Sequence, residues 1–292
     1  MISYLKTNYK IPKWLSFSFI GYLLLVLIFK LVNTYVDDQL AKKSDASLYQ
    51  SCYKIWATRG LVTVGDRSLT SSGNSIKTIQ LAFKHGTKGS EIDLFYDVKM
   101  DRFILSHNFP YRLKDGKLLS LQELISNIGN DYYLWLDLKK LGRLSKPQAQ
   151  AAAARLLKIT EGQSIRNKIY IEGEDPINLA AFRDAQFHTI FDTQPLKGSY
   201  WLSDFVMTLY KMIFYFNDFS VMAMNSGAID DPIFDQDAEI ILSNVPLFLY
   251  HIPDNIALLQ KYSDMKNVKV MLNTDHSADR FQLNSCQNLS HD

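Results

Sequence analysis

Glu91-Ile92-Asp93 is the stretch of this 292-residue chain whose side chains point most directly to chemistry. It lies between Gly89-Ser90 and Leu94-Phe95, in a run that reads as a β-strand. Residues two apart on a strand face the same side, so the two carboxylates project together. Oxygen ligands of a hard divalent cation are arranged in this way. A third acid, Asp137, stands in Leu134-Trp135-Leu136-Asp137-Leu138, near the end of another predicted strand. An acid among such apolar neighbours requires a cation or a hydrogen-bonding partner. Three converging carboxylates suit Mg²⁺ or Ca²⁺, whereas Zn²⁺ would call for His or Cys. The plainer alternative, for each acid taken alone, is a strand charge paired with Lys or Arg.

Positioning these acids requires strands whose ends meet. From Cys52 onward, short β-branched or aromatic runs alternate with amphipathic segments. Strands are expected at Lys54–Thr58, Gly89–Phe95, Tyr132–Leu138, Lys168–Gly173, His188–Asp192, Ser220–Ala223, Pro246–His251 and Val268–Leu272. A hairpin strand, Phe103–His107, interrupts the second unit. Helices are expected between the strands, among them Trp201–Phe216 and Asp231–Leu242. Eight such units predict an α/β fold, a (β/α)8 TIM barrel over residues 52–286, with an open doubly wound sheet as the alternative. No glycine-rich dinucleotide fingerprint follows the first strand. The polar candidates also cluster at C-terminal strand ends, where barrel enzymes place their sites.

Ahead of the barrel, residues 1–13 carry Lys6, Lys10 and Lys13, and residues 14–36 are almost wholly apolar. That length and composition predict one transmembrane helix, with a cleaved signal peptide as the alternative. The lysines before the span and Asp37-Asp38 after it predict a single-pass anchor with the barrel on the non-cytoplasmic side. Residues 37–51 read as a polar stalk and 287–292 as a tail. A net charge of +2 offers no basis for nucleic-acid binding. The only cysteines, Cys52 and Cys286, nearly bracket the barrel. They could form a disulfide joining its ends, or remain two thiols.

Further residues fall in a recognisable order. Thr58-Arg59-Gly60 ends the first strand, and Asn74 opens a helix. Glu91-Ile92-Asp93, His107-Asn108 and Asp137-Leu138-Lys139 follow. This order resembles the glycerophosphodiester phosphodiesterase family, metal-dependent barrels related to phosphatidylinositol-specific phospholipase C. The family pattern runs His-Arg-Gly, Asn, Glu-x-Asp, His-Asp and Glu-x-Lys. The resemblance is fullest from Lys54 to Lys139, and Asn273-Thr274-Asp275 is similar to the family's last-strand ending. It implies that Glu91, Asp93 and Asp137 hold the metal. By the same resemblance Arg59 grips a phosphate oxygen, Lys139 adds charge beside it, and His107 is one of two acid/base histidines. A membrane-anchored phosphodiester hydrolase acting on glycerophosphodiesters or lysophospholipids is the function so implied.

The chain departs from the pattern at three places. Thr58 replaces the first histidine, Asn108 replaces an Asp, and Asp137 replaces a longer Glu. Thr cannot act as a general base near neutral pH, so a catalytically silent relative that binds a headgroup or a protein is the alternative. His251, at the end of the seventh strand, and Asp275-His276, after the eighth, are the groups that strand order could bring in to substitute. The Trp201–Phe216 segment is rich in aromatics and Met, which suits either a core face or contact with lipid.

Overall fold

A computed structural model describes residues 13–43, 45–61, 73–114, 116–197, 200–273 and 278–283. The chain divides into two compact units, Met1–Lys43 and Ser44–Asp292. The first holds one helix, α1 (Lys13–Lys42), whose Ile20–Lys42 part is long and apolar enough to cross a membrane. This helix runs on past Val36, into the segment expected to be a stalk.

The second unit alternates strands and helices as β1 (Ile55–Thr58), α2 (Ile76–Lys84), β2 (Gly89–Asp97), β3 (Arg102–Leu105), α3 (Leu121–Ile128) and β4 (Tyr133–Leu138). It continues with α4 (Lys146–Ile159), β5 (Ile169–Gly173), α5 (Pro176–Asp184), β6 (His188–Thr193), α6 (Ser203–Phe216) and β7 (Val221–Asn225). The last elements are α7 (Gln236–Ile241), β8 (Leu247–Ile252), α8 (Ile256–Asp264) and β9 (Val268–Asn273). Every strand but β3 pairs parallel with its neighbours, and β1 bonds to both β9 and β2. The sheet therefore closes on itself as an eight-stranded (β/α)8 barrel, with β3 hanging antiparallel on β2.

Strand alternation sorts the barrel interior into an apolar lower part and a polar top. Trp56, Trp135, Tyr170, Val221, Phe248 and Val270 belong to one buried cluster. Its rings sit edge to face or tilted, with Trp135–Phe248 and Tyr170–Phe248 centroids 5.1 Å apart. Aromatic pairs favour such offset geometries over a face-to-face sandwich. Tyr49 packs on this cluster and its backbone amide donates to Tyr170 Oη at 2.8 Å. Gly89 makes room for the layer, since a Cβ there would lie 2.3 Å from the Trp56 indole. Two residues further along their strands stand Thr58, Glu91, Asp137, Glu172 and Tyr250, and with Asp192 and Asn225, two residues past the buried Ile190 and Ala223, they border one cavity. The aromatic layer is thus the floor of the site.

Two sequence expectations shift in the structure. The hairpin strand ends at Leu105, so His107 stands in the following loop. Ser106 N still bonds to Asp93 O on β2 at 3.1 Å, and the chain then turns with Ser106 Oγ donating to Asn108 O at 2.7 Å. The helix expected from Asp231 begins only at Gln236. The amides of Ile233 and Phe234 both fold back onto Ser226 O, and the Asp235 side chain accepts from Ala238 N at 3.0 Å as N-cap.

Candidate active site

The site begins at the tip of β1. Arg59 and Gly60 both have positive φ, at 58° and 83°. A Cβ on Gly60 would lie 2.5 Å from the Thr78 backbone, so only glycine lets the chain pass this close to α2. Backbone bonds fix the loop. Arg59 N donates to Glu91 O at 3.0 Å, Asn74 N to Arg59 O at 2.9 Å, and Leu61 N to Thr78 O at 2.9 Å. The side chain of Arg59 is thereby brought to Asp93, with Nε 3.0 Å from Oδ2.

Asp93 is fully buried and held from three sides. Asn74 Nδ2 donates to its Oδ2 at 2.9 Å, while Asp93 N donates to Asn74 Oδ1 at 3.1 Å. Lys139 Nζ lies 2.8 Å from Oδ1 and also pairs with Asp137. Strand register explains the meeting, because Asp93 on β2 lies directly beside Asp137 on β4. Lys139 follows two residues on, and its amide donates to Leu94 O at 2.8 Å.

Glu91, Asp93 and Asp137 each offer an oxygen within 4.8 Å of the other two. Glu91 Oε2 is buried and has no hydrogen-bond partner. Burial, then repulsion from Asp93 and Asp137, pushes the Glu91 carboxyl well above the usual range. Burial also raises Asp137, to about 6, against the pull of Lys139. Burial acts on Asp93 in the same direction, but Lys139, Arg59 and Asn74 outweigh it and hold that carboxyl below its ordinary value. Two cations against three carboxylates leave the cluster acidic, with one buried oxygen unsatisfied. The donor set is all carboxylate. These residues therefore fit a hard divalent cation.

Sequence reasoning missed two acids that continue the ring. Glu172 on β5 is next to Asp137 in register, and its Oε2 accepts the Trp135 indole N–H. Asp192 on β6 accepts from Tyr250 Oη at 3.1 Å. Burial, followed by the charge on Asp137, raises Glu172 strongly and takes Asp192 to about 7. Both strands were legible in the sequence, and an acid at the end of each was the signal available.

The cavity over these groups is about 960 Å³ and is bordered by Thr58, Arg59, His107, Lys139, Lys140, Arg143 and His251. That volume lies within the usual range for small-molecule sites. His107 is exposed at the rim, with Nδ1 3.1 Å from Asn108 Oδ1. An amide oxygen can only accept, so Nδ1 carries the proton and Nε2 is left as the acceptor. His251, with φ at 53°, receives a hydrogen bond on Nδ1 from Asn225 Nδ2 at 3.2 Å. Burial, with Arg59 and Lys139 nearby, keeps it below the ordinary histidine value. Asp275, His276 and Cys286 lie outside the described residues. No free cysteine occurs among the described residues.

No protein-family profile matches the sequence, and no curated protein does. Solved structures do match in fold. A glycerophosphodiester phosphodiesterase from Parabacteroides distasonis superposes with a TM-score of 0.56 at 13% identity, over 78% of this chain and 94% of its own. One from Thermotoga maritima gives 0.55 at 13% identity, over 78% and 96%. At that identity the match establishes architecture, and the barrel accordingly shares the fold of the glycerophosphodiester phosphodiesterases.

Proposed function

We propose that this chain is a membrane-anchored, divalent-metal-dependent phosphodiester hydrolase acting on glycerophosphodiesters or lysophospholipids. The observation that carries the reading is the carboxylate trio with its orphaned Glu91 oxygen, faced by Arg59 and Lys139 at the barrel mouth. Glu91, Asp93 and Asp137 would hold Mg²⁺ or Ca²⁺. Such an ion, when bound, polarises a phosphoryl oxygen and offsets charge that develops on it.

The remaining work belongs to side chains of this chain. Arg59 is oriented by Asp93 to present its guanidinium to a phosphate, a pairing suited to that planar fork. Lys139 adds positive charge where negative charge accumulates. His107, with Nδ1 committed to Asn108, offers Nε2 to exchange a proton with the attacking or leaving oxygen. The apolar floor of Trp56, Trp135 and Phe248 closes the lower end of the cavity to water and keeps these charges in a low dielectric.

A second reading rests on Thr58, which borders the cavity and lies beside Glu91 in register. Loss of one proton-transfer group costs ~10²–10⁴-fold in rate, and on this reading the chain serves to bind a phosphodiester headgroup or a protein partner. His251, which borders the same cavity, would be the substitute among the described residues. The test is turnover of a diester panel with Mg²⁺, Ca²⁺ or chelator, beside His107→Ala and His251→Ala. Chelator-sensitive turnover lost in His107→Ala supports the hydrolase, and saturable headgroup binding without turnover supports the silent relative. A Cys52–Cys286 bridge and a non-cytoplasmic barrel accompany this proposal, and free thiols at both positions in non-reduced protein would remove the bridge.

A further inference from the structure

The exposed large apolar side chains of the barrel unit are not scattered. Phe109 and Leu113 follow β3, Ile177 opens α5, Trp201 precedes α6, Ile229 follows β7 and Ile256 opens α8. Each stands in a connection that leaves the C-terminal end of the barrel, or in the first turn of the helix after it. Among the described residues of the barrel, Val98 and Met100 stand in the turn between β2 and β3, and Leu209, Phe216 and Ile240 lie deeper along a helix. The carboxylate cavity opens on this same face. Trp201 is 88% exposed and Tyr200 57%. Apolar exposure concentrated around one opening marks a binding face, because solvent-facing apolar residues are otherwise dispersed.

We propose that the apolar rim of the barrel mouth seats on a phospholipid bilayer, so that the carboxylate cavity opens directly onto lipid headgroups. Three features select a bilayer over a protein. First, the apolar side chains are separate prongs from several connections, not a groove shaped for one partner. Second, Trp201 and Tyr200 belong to the residue types that favour the membrane interface. Third, exposed Lys140 and Arg143 border the cavity inside this rim, where headgroup phosphates would meet them. On α6, Phe214 lies in the core and Phe205 is exposed near the loop. The docking inference needs no turnover, but the delivery of lipid substrates to the cavity rests on the hydrolase reading.

The test uses the full chain in phosphatidylcholine vesicles whose acyl chains are brominated or plain. Tryptophan emission of the wild type is compared with that of Trp201→Phe, so that Trp14, Trp56 and Trp135 cancel. The expected result is that the Trp201 component is blue-shifted and largely lost in brominated vesicles. Equal Trp201 emission in both vesicles overturns the inference. So does a Trp201→Asp/Ile229→Asp variant that abolishes self-association of the chain while Trp201 stays unquenched in the wild type, since the rim would then be a protein interface. A parallel assay compares vesicle-borne lysophosphatidylcholine with soluble glycerophosphocholine. The aspartate variant should lose turnover of the first and keep the second at an unchanged Tm. Quenching without turnover of either diester leaves the docking standing and removes the hydrolase reading.

Discussion

Asp93 shows how one carboxylate is prepared for work. It is fully buried, yet its oxygens meet an amide, a guanidinium and an ammonium, and its own amide donates to Asn74. Asn74 touches no other acid of the trio, so its effect runs through Asp93. Asn74→Ala is expected to weaken divalent-cation affinity by ~10–100-fold, the usual cost of losing a residue that orients a ligand. Calorimetric titration of Mg²⁺ or Ca²⁺ checks this, and equal affinity would separate Asn74 from cation binding. Thr58 permits the converse experiment. Placing a histidine there restores the missing proton-transfer group beside Glu91, so Thr58→His is expected to raise kcat by ~10²–10⁴-fold. An unchanged kcat would show that proton transfer at this position does not limit the reaction.

At the scale of elements, Gly60 sets a sharp local constraint between β1 and α2. Gly60 combines positive φ with backbone contact, whereas Gly86 has φ of 98° and open space where a Cβ would stand. Gly60→Ala is therefore expected to cost more than ~1 kcal/mol and to lower Tm more than Gly86→Ala does. Equal shifts in thermal melts would contradict the close-approach argument. Most of the elements were legible in sequence, because period-two apolar runs of buried parallel strands end in punctuating loops. Every parallel strand appears where it was expected, with ends moved by a residue or two. His107 left its strand where Ser106 Oγ bonds to Asn108 O, and α7 lost its first turn where the Ile233 and Phe234 amides bond to Ser226 O. Such bonds leave no periodic trace. The trio of acids was readable because its members share strand faces. Glu172 and Asp192 were passed over because neither falls in the motif order that singled out Asp137; the pairing of β4 with β5 and of β5 with β6 then carries the row of acids onward from Asp137.

At the scale of the whole molecule, closure places β1 against β9 and ties the chain just before β1 to the end of α8. Lys54 Nζ donates to Ser263 O at 2.6 Å and to Met265 O at 2.9 Å. Burial, with Lys269 nearby, lowers the Lys54 ammonium to about 8 from an ordinary 10.5. Between those values the unfolded chain binds more protons than the folded one, so stability gained from this group rises with pH from about 8 to 10.5. The wild type should therefore gain Tm relative to Lys54→Met across that window, and parallel Tm curves for the two proteins would contradict the assignment. The same closure gathers acids from four strands over an aromatic floor, and the proposed function depends on that gathering. The most direct test is calorimetric titration of Ca²⁺ and Mg²⁺ into the wild type and Glu91→Gln. The account predicts saturable binding in the wild type and its loss in Glu91→Gln at an intact fold. Identical isotherms for the two proteins, or no binding to the wild type, would contradict it.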